Sequence, residues 1–185
     1  MRRLVMGAMV ALFVLAGCTP GGDPVPSGTV VDPVVESTTP TPSPTPTWSD
    51  TQQGAIDAVQ RYLEVWTGIS QNLYTADWND IRLVAGDPVA NNDMARWSRW
   101  VSNGWHLVGG PIFTPDRVVS GMQDYLGNRY HVYGCYVKND VYIVDDAGTP
   151  AGPTESERWQ ARYVVIHWKD GEFSVLEDHT EEGTC

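Results

Sequence analysis

From Ile56 onward, apolar residues recur at spacings of three and four: Ile56, Val59, Leu63, Trp66, Ile69 and Leu73, with Tyr62 alongside. This is one stripe of an amphipathic helix about five turns long. Ser49 stands where an N-cap belongs, and Gln52, three residues on, completes a capping box. Asp57, Arg61 and Glu64 fall off the stripe. Gly54 and Gly68 each weaken the helix by up to about 1 kcal/mol relative to Ala. Asp77 opens a second, short helix through Trp78, Ile81 and Val84, which Gly86 stops. Asp87-Pro88 starts a third, with Asp87 as cap and Pro88 at the first helical position. It carries Val89, Met94, Trp97, Trp100 and Val101 and ends near Asn103-Gly104.

Past Gly104 the period changes from helix to strand. Trp105 to Val108 is short and apolar, and Gly109-Gly110-Pro111 breaks it. Ile112 to Gln123 holds an irregular strand around Val118-Val119. Residues 128–137 alternate, with Tyr130, Val132 and Tyr136 on one face and His131, Tyr133 and Cys135 on the other. Residues 138–155 read as loop, with a short strand at Val141 to Val144. Glu157 to Trp168 is expected to be the longest strand, one face reading Trp159, Ala161, Tyr163, Val165, His167. Its other face begins polar at Arg158, Gln160 and Arg162 and turns apolar at Val164, Ile166 and Trp168, which suggests a bent sheet. Lys169-Asp170-Gly171 is a hairpin turn, and Phe173 to Asp178 returns as the final strand. His179 is expected beyond that strand, facing solvent.

The N-terminus follows a different logic. Arg2 and Arg3 precede 13 residues, 4–16, that are apolar or glycine throughout. A spanning helix needs about 20 such residues. The run instead has the length of a secretory h-region. Leu15-Ala16-Gly17-Cys18 closes it and resembles the lipobox of bacterial lipoproteins. That resemblance implies that residues 1–17 are a signal peptide, that Cys18 carries lipid, and that the protein sits on the extracytoplasmic face of the membrane. Two acyl chains suffice for stable anchoring. Residues 18–47 then read as a tether, with eight of the 13 prolines between Pro20 and Pro46. Proline at this density forms neither a helix nor a central strand. The 29 residues after Cys18 span about 90 Å fully extended and about 30 Å as a flexible coil. Residues 48–185 form one domain.

Composition narrows the partners. Removing the leader, which holds Arg2 and Arg3 and no acidic residue, takes the formal charge from −11 to −13. Phosphate binding needs clustered Lys and Arg, so nucleic acid is excluded as a partner. Adhesion to anionic lipid by charge is excluded too, which leaves the lipid on Cys18 as the membrane contact. Cys135 and Cys185 remain after Cys18, and an oxidising compartment makes them a disulfide pair.

Three N-terminal helices followed by antiparallel strands that end in a long hairpin resemble the NTF2-like superfamily. The resemblance covers about residues 49–180 and rests on element order. It rests also on Trp66 in the long helix and on Tyr163-Val164-Val165-Ile166, Lys169-Asp170-Gly171 and Phe173-Ser174-Val175. It implies an α+β cone in which the helices pack into the concave face of a curved antiparallel sheet. Tyr62, Trp66, Trp97, Trp100, Trp159, Tyr163 and His167 would line that cone. The whole chain resembles small secreted lipoproteins of high-GC Gram-positive bacteria and their phages.

Enzymes of the superfamily work inside the cone with a carboxylate or histidine base. The residue types available here are His106, His131, His167, Asp77, Asp80, Tyr62, Tyr133 and Tyr163. His167 shares a strand face with Tyr163 and Trp159 and is the candidate pocket base. Asp145-Asp146 lacks the alternating acidic spacing of a calcium loop, so no metal site is assigned. There is no CxxC, HExxH, nucleophile elbow or phosphate-binding glycine loop, and no cofactor is assigned. The leading expectation is therefore a non-catalytic envelope module that binds a protein or an apolar small molecule. A phage-encoded lipoprotein that excludes superinfecting phage, and a small isomerase or dehydratase, are the alternatives.

Overall fold

The computed structural model describes residues 46–137, 141–151, 158–182 and Cys185. The signal peptide, Cys18 and all but the last residues of the tether lie outside the described residues. So do parts of the loop read at 138–155. The described chain is α+β, with helices and antiparallel sheets.

Helix α1 runs Asp50–Gln71 and begins with the capping box that Ser49 and Gln52 spell. Every stripe residue from Ile56 to Leu73 is buried, Tyr62 included. The second helix is a 3₁₀ segment, Trp78–Leu83, with Asp77 accepting from the Asn79 amide. It stops because the next backbone groups are committed elsewhere. The Gly86 amide donates to the Val175 carbonyl at 2.8 Å, and the Val175 amide donates to Val84 at 3.0 Å. A Cβ on Gly86 would meet the tip of the Leu176 side chain at 2.8 Å, so any larger residue there needs Leu176 to shift.

Helix α2 runs Asp87–Ser102, and here the expected cap is wrong. Gly86 holds the N-cap position, extended at φ −69° and ψ 161°, but it has no side chain to cap with. Asp87 is already helical, and Arg82 takes its carboxylate.

The strands are β1 (Trp105–Val108), β2 (Ile112–Gln123), β3 (Gly127–Val137), β4 (Tyr142–Asp145), β5 (Arg158–Trp168) and β6 (Phe173–Glu182). A four-stranded antiparallel sheet has the order β2-β3-β5-β6, and β1 pairs with β4 in a separate ribbon. Among the described residues β2 is the longest strand, at 12 residues; β5 directly follows residues 152–157, so the expected first residue of that strand, Glu157, lies outside the described residues. Strand β2 carries two register shifts, one just past Pro115, which is tolerable because β2 is an edge. Strand β6 continues four residues past the expected end, pairing with β5 as far as Glu182 opposite Trp159. His179 therefore lies within it, opposite Arg162, and is exposed as expected.

Strand β6 is interrupted once. Val164 pairs with Glu177 and Val165 with Val175, so Leu176 is an extra residue in β6. Such a bulge reverses which side chains of the strand face the core. The core lies between α1, α2 and the inner face of the sheet. Cys135 of β3 and Cys185 are disulfide-bonded, with Cα atoms 5.6 Å apart.

Candidate functional site

The most unusual group in that core is Asp93, a carboxylate in the middle of α2 that is 1% exposed. Burying a charge is costly unless it is paired and hydrogen-bonded. Both oxygens are served by α1: the Tyr62 hydroxyl donates to Oδ2 at 2.8 Å and the Trp66 indole N–H to Oδ1 at 3.0 Å. Tyr62 and Trp66 are four apart, so one helix face presents both donors. Arg96, one turn along α2, brings a guanidinium nitrogen to 3.6 Å of Oδ1 and is itself 39% exposed.

Asp178 of β6 faces the same group. Its place opposite Tyr163 sets it on the inner face, a consequence of the bulge at Leu176. Burial pushes the Asp93 carboxyl up to about 6, against the lowering effect of Tyr62 and Arg96. Burial raises Asp178 too, with Arg96 opposing. Tyr136 of β3 and Tyr163 of β5 complete the surroundings. Burial raises the Tyr136 hydroxyl to about 12 and raises those of Tyr62 and Tyr163 well above the usual phenol range. The hub is thus two carboxyls, three neutral phenols and one partly exposed guanidinium.

The aromatic residues expected to line a cone fill the space around the hub. Tyr62 meets Tyr163 edge-on at 6.2 Å, and Phe113 meets the same ring at 5.3 Å. Trp66 packs edge-on against Trp100 at 6.1 Å. Trp97 lies against Trp78 at 6.0 Å and donates its N–H to buried Ser70 at 2.8 Å. Trp159 is half-buried against the core.

His167 is not in this group. It stacks on Phe173 at 4.2 Å, beside the β5–β6 turn. There it lines a cavity of about 290 Å³ with Asp124, Asn128 and Lys169. His106 sits in the ribbon opposite Val144, and His131 stacks on Tyr133 with Arg117 over that ring at 4.2 Å. Asp145 closes a turn, accepting from the Ala147 and Thr149 amides. Among the described residues no cluster of three or more His, Cys, Asp or Glu could hold a metal ion. No described helix is long and apolar enough to cross a membrane.

Asp93 and Asp178 carry the site and were not singled out from sequence. For Asp93 a signal existed. Val89, Asp93, Trp97 and Trp100 are spaced four, four and three apart, so the aspartate occupies a stripe position of α2. For Asp178 there was none, because simple alternation from Val175 puts residue 178 on the outside.

A second concavity, of about 620 Å³, lies outside the core between α1 and the start of β2. Leu63 and Phe113 are apolar residues of its lining, with Gln60, Glu64, Thr67 and Pro111 among the others.

No known family model matches the chain, and no curated protein matches it. Solved structures do. The intermembrane-space region of the chloroplast protein ARC6 aligns with a TM-score of 0.55 at 12% identity, over 75% of this chain and 100% of that one. An iota-carbonic anhydrase from a cyanobacterium, complexed with bicarbonate, aligns at 0.39 with 8% identity, over 80% and 99%. The first likeness is one of fold. The second establishes no common fold.

Proposed function

We propose that the protein is an extracytoplasmic lipoprotein held by lipid on Cys18, and that its NTF2-like domain is a non-catalytic module that binds an envelope protein through its outer surface. The observation that carries the reading is the filled interior. Tyr62, Trp66, Trp97, Trp100, Phe113 and Tyr163 are all buried to 8% exposure or less and pack among themselves. Both oxygens of Asp93 are already occupied by Tyr62 and Trp66. An apolar ligand or a substrate would have to displace these rings, so a partner is met on the outside.

The acid–base enzyme reading has one observation in its favour: a buried Asp–Tyr pair with Asp93 raised to about 6. That is the kind of group such chemistry uses. A small apolar dye titrated into the folded protein separates the two. The filled interior predicts no saturable binding and no change in tryptophan fluorescence. Saturable binding that quenches the tryptophans would sink the proposal in favour of a ligand-holding cone.

The anchor is tested by Cys18→Ala. The variant is expected to lose labelling by a palmitate analogue and to leave the membrane fraction. Equal labelling of the variant would overturn the lipoprotein assignment.

A further inference from the structure

We propose that the outer face of the four-stranded sheet is the docking surface of the domain. It takes an acidic segment of the envelope partner, with Arg117 and Arg162 holding its carboxylates on either side of Tyr133. This inference rests on the reading that the domain binds a protein through its outer surface, and it names the chemistry of that protein.

The register sets the row. Arg117 of β2 lies opposite Tyr133 of β3, Tyr133 opposite Arg162 of β5, and Arg162 opposite His179 of β6. Residues directly opposite one another share a face of a sheet. Tyr163, next to Arg162, is in the core, so the row faces outward. The two arginines start two strand spacings apart, about 10 Å. The Arg117 guanidinium lies over the Tyr133 ring at 4.2 Å, which carries it from β2 onto β3.

The row is built before anything binds. Tyr133 also stacks with His131, at 6.4 Å and an interplanar angle of 23°. Gly121 leaves the room for this, since a Cβ there would meet the His131 ring at 3.0 Å. Cys135, two residues along the same face, is tied to Cys185. Side chains already held in place lose less freedom when a partner arrives.

Charge on this face runs against the average of the protein. Past the leader the chain has 23 acidic side chains and ten Lys and Arg, the 12 of the whole chain less Arg2 and Arg3. Yet β3 and β5 contain no acidic residue and three arginines, Arg129, Arg158 and Arg162. Arg129 is held by Asp124 at 2.9 Å, and Glu177 of β6 by His179 at 3.1 Å. Asp116, in the bulge beside Arg117, and Glu181, opposite Gln160, are exposed. Among the described residues neither Arg117 nor Arg162 has a carboxylate within ion-pair distance. Two like charges without a counter-ion raise the local potential, and a bound carboxylate lowers it. The guanidinium fork matches a carboxylate by two parallel hydrogen bonds. Arginine and tyrosine beside exposed Val119 have the composition of the centre of a protein interface. A bare polyanion would use the charges and leave the ring and the valine idle.

The test uses the full-length chain in detergent and a fluorescent synthetic peptide of alternating Glu and Ser, with its Gln counterpart as control. By fluorescence anisotropy the Glu peptide should bind saturably and the Gln peptide should not. Arg117→Gln and Arg162→Gln should each weaken binding roughly tenfold, the worth of one hydrogen bond between charged groups. Arg99→Gln, which removes an exposed cation of α2, should leave binding unchanged. Raising the salt from about 50 to about 500 mM should weaken wild-type binding. Urea melts show whether each variant is folded, and the Glu-against-Gln comparison on wild type decides if one is not. Equal binding of the two peptides, or Glu-peptide binding that survives both variants, overturns the proposal. So does binding of a glycerol-phosphate polymer in place of the peptide, or self-association that Arg162→Gln abolishes, because the face would then belong to a phosphate polymer or to a second copy. Such a failure leaves the binding-module reading standing. The apolar dye tests that reading separately, and dye uptake would sink it without touching the peptide result.

Discussion

Single residues in this protein are legible when their neighbours in space are also their neighbours in sequence. Gly54 and Gly68 show the limit. Both read as equal weak points in α1, yet they sit in opposite surroundings. A Cβ on Gly54 would lie 2.8 Å from the Phe173 ring, whereas one on Gly68 meets nothing within 4 Å. Gly68→Ala should therefore stabilise the protein by about 0.5–1 kcal/mol through helix propensity. Gly54→Ala should destabilise it by about 1–3 kcal/mol through overpacking. Urea melts of the two variants check this, and equal shifts of the same sign would show that Phe173 does not press on α1. Asp93 makes a related point. It stands in the polar run Asn91-Asn92-Asp93, and its neighbours disguise it, although its spacing to Val89 and Trp97 marks a stripe position. A charge on an apolar stripe is the sequence trace of a buried hub.

At the scale of elements, local patterns served α1 well and the later elements less well. The stripe and capping box of α1 are set within the helix, so reading them needs no tertiary knowledge. The start of α2 is not local. Gly86 takes the cap position because its amide is bound to β6, about ninety residues on. The bulge at Leu176 is equally invisible, and it alone brings Asp178 inward. Packing between elements gives a sharp contrast of variants. Trp66 is 8% exposed, packs on Trp100 and donates to Asp93. Trp66→Ala should cost about 3–5 kcal/mol, a large part of the about 5–15 kcal/mol that a domain of this size has. His167 leans on Phe173 near a turn, so His167→Ala should cost only about 1 kcal/mol, the value of one ring stack. A denaturant melt of both measures the difference. If Trp66→Ala melts like wild type, α1 does not pack as described.

For the molecule as a whole, the order of helices and strands was readable, and so was the cysteine pairing, because only two cysteines fall within the domain. The sheet order and the separate β1–β4 ribbon were not, since pairing between distant strands leaves no local mark. The Cys135–Cys185 bond spans 50 residues. In the chain-entropy model it is worth about 4 kcal/mol. Reduction, or Cys185→Ser, should lower the unfolding free energy by about that amount, as read from urea melts with and without reductant. A loss under about 1 kcal/mol would mean that β6 holds the C-terminus unaided. Strand β6 does more than close the sheet. Its residues stop the 3₁₀ segment at Val84, supply Asp178 to the hub, and lead to the half-cystine that pins β3. Every one of these contacts waits on the last part of the chain to be made. The fold as it stands is therefore incomplete until residues 173–185 are in place, and a chain cut short of β6 is expected to lose the stop at Val84, the inward Asp178 and the covalent tie to β3 together.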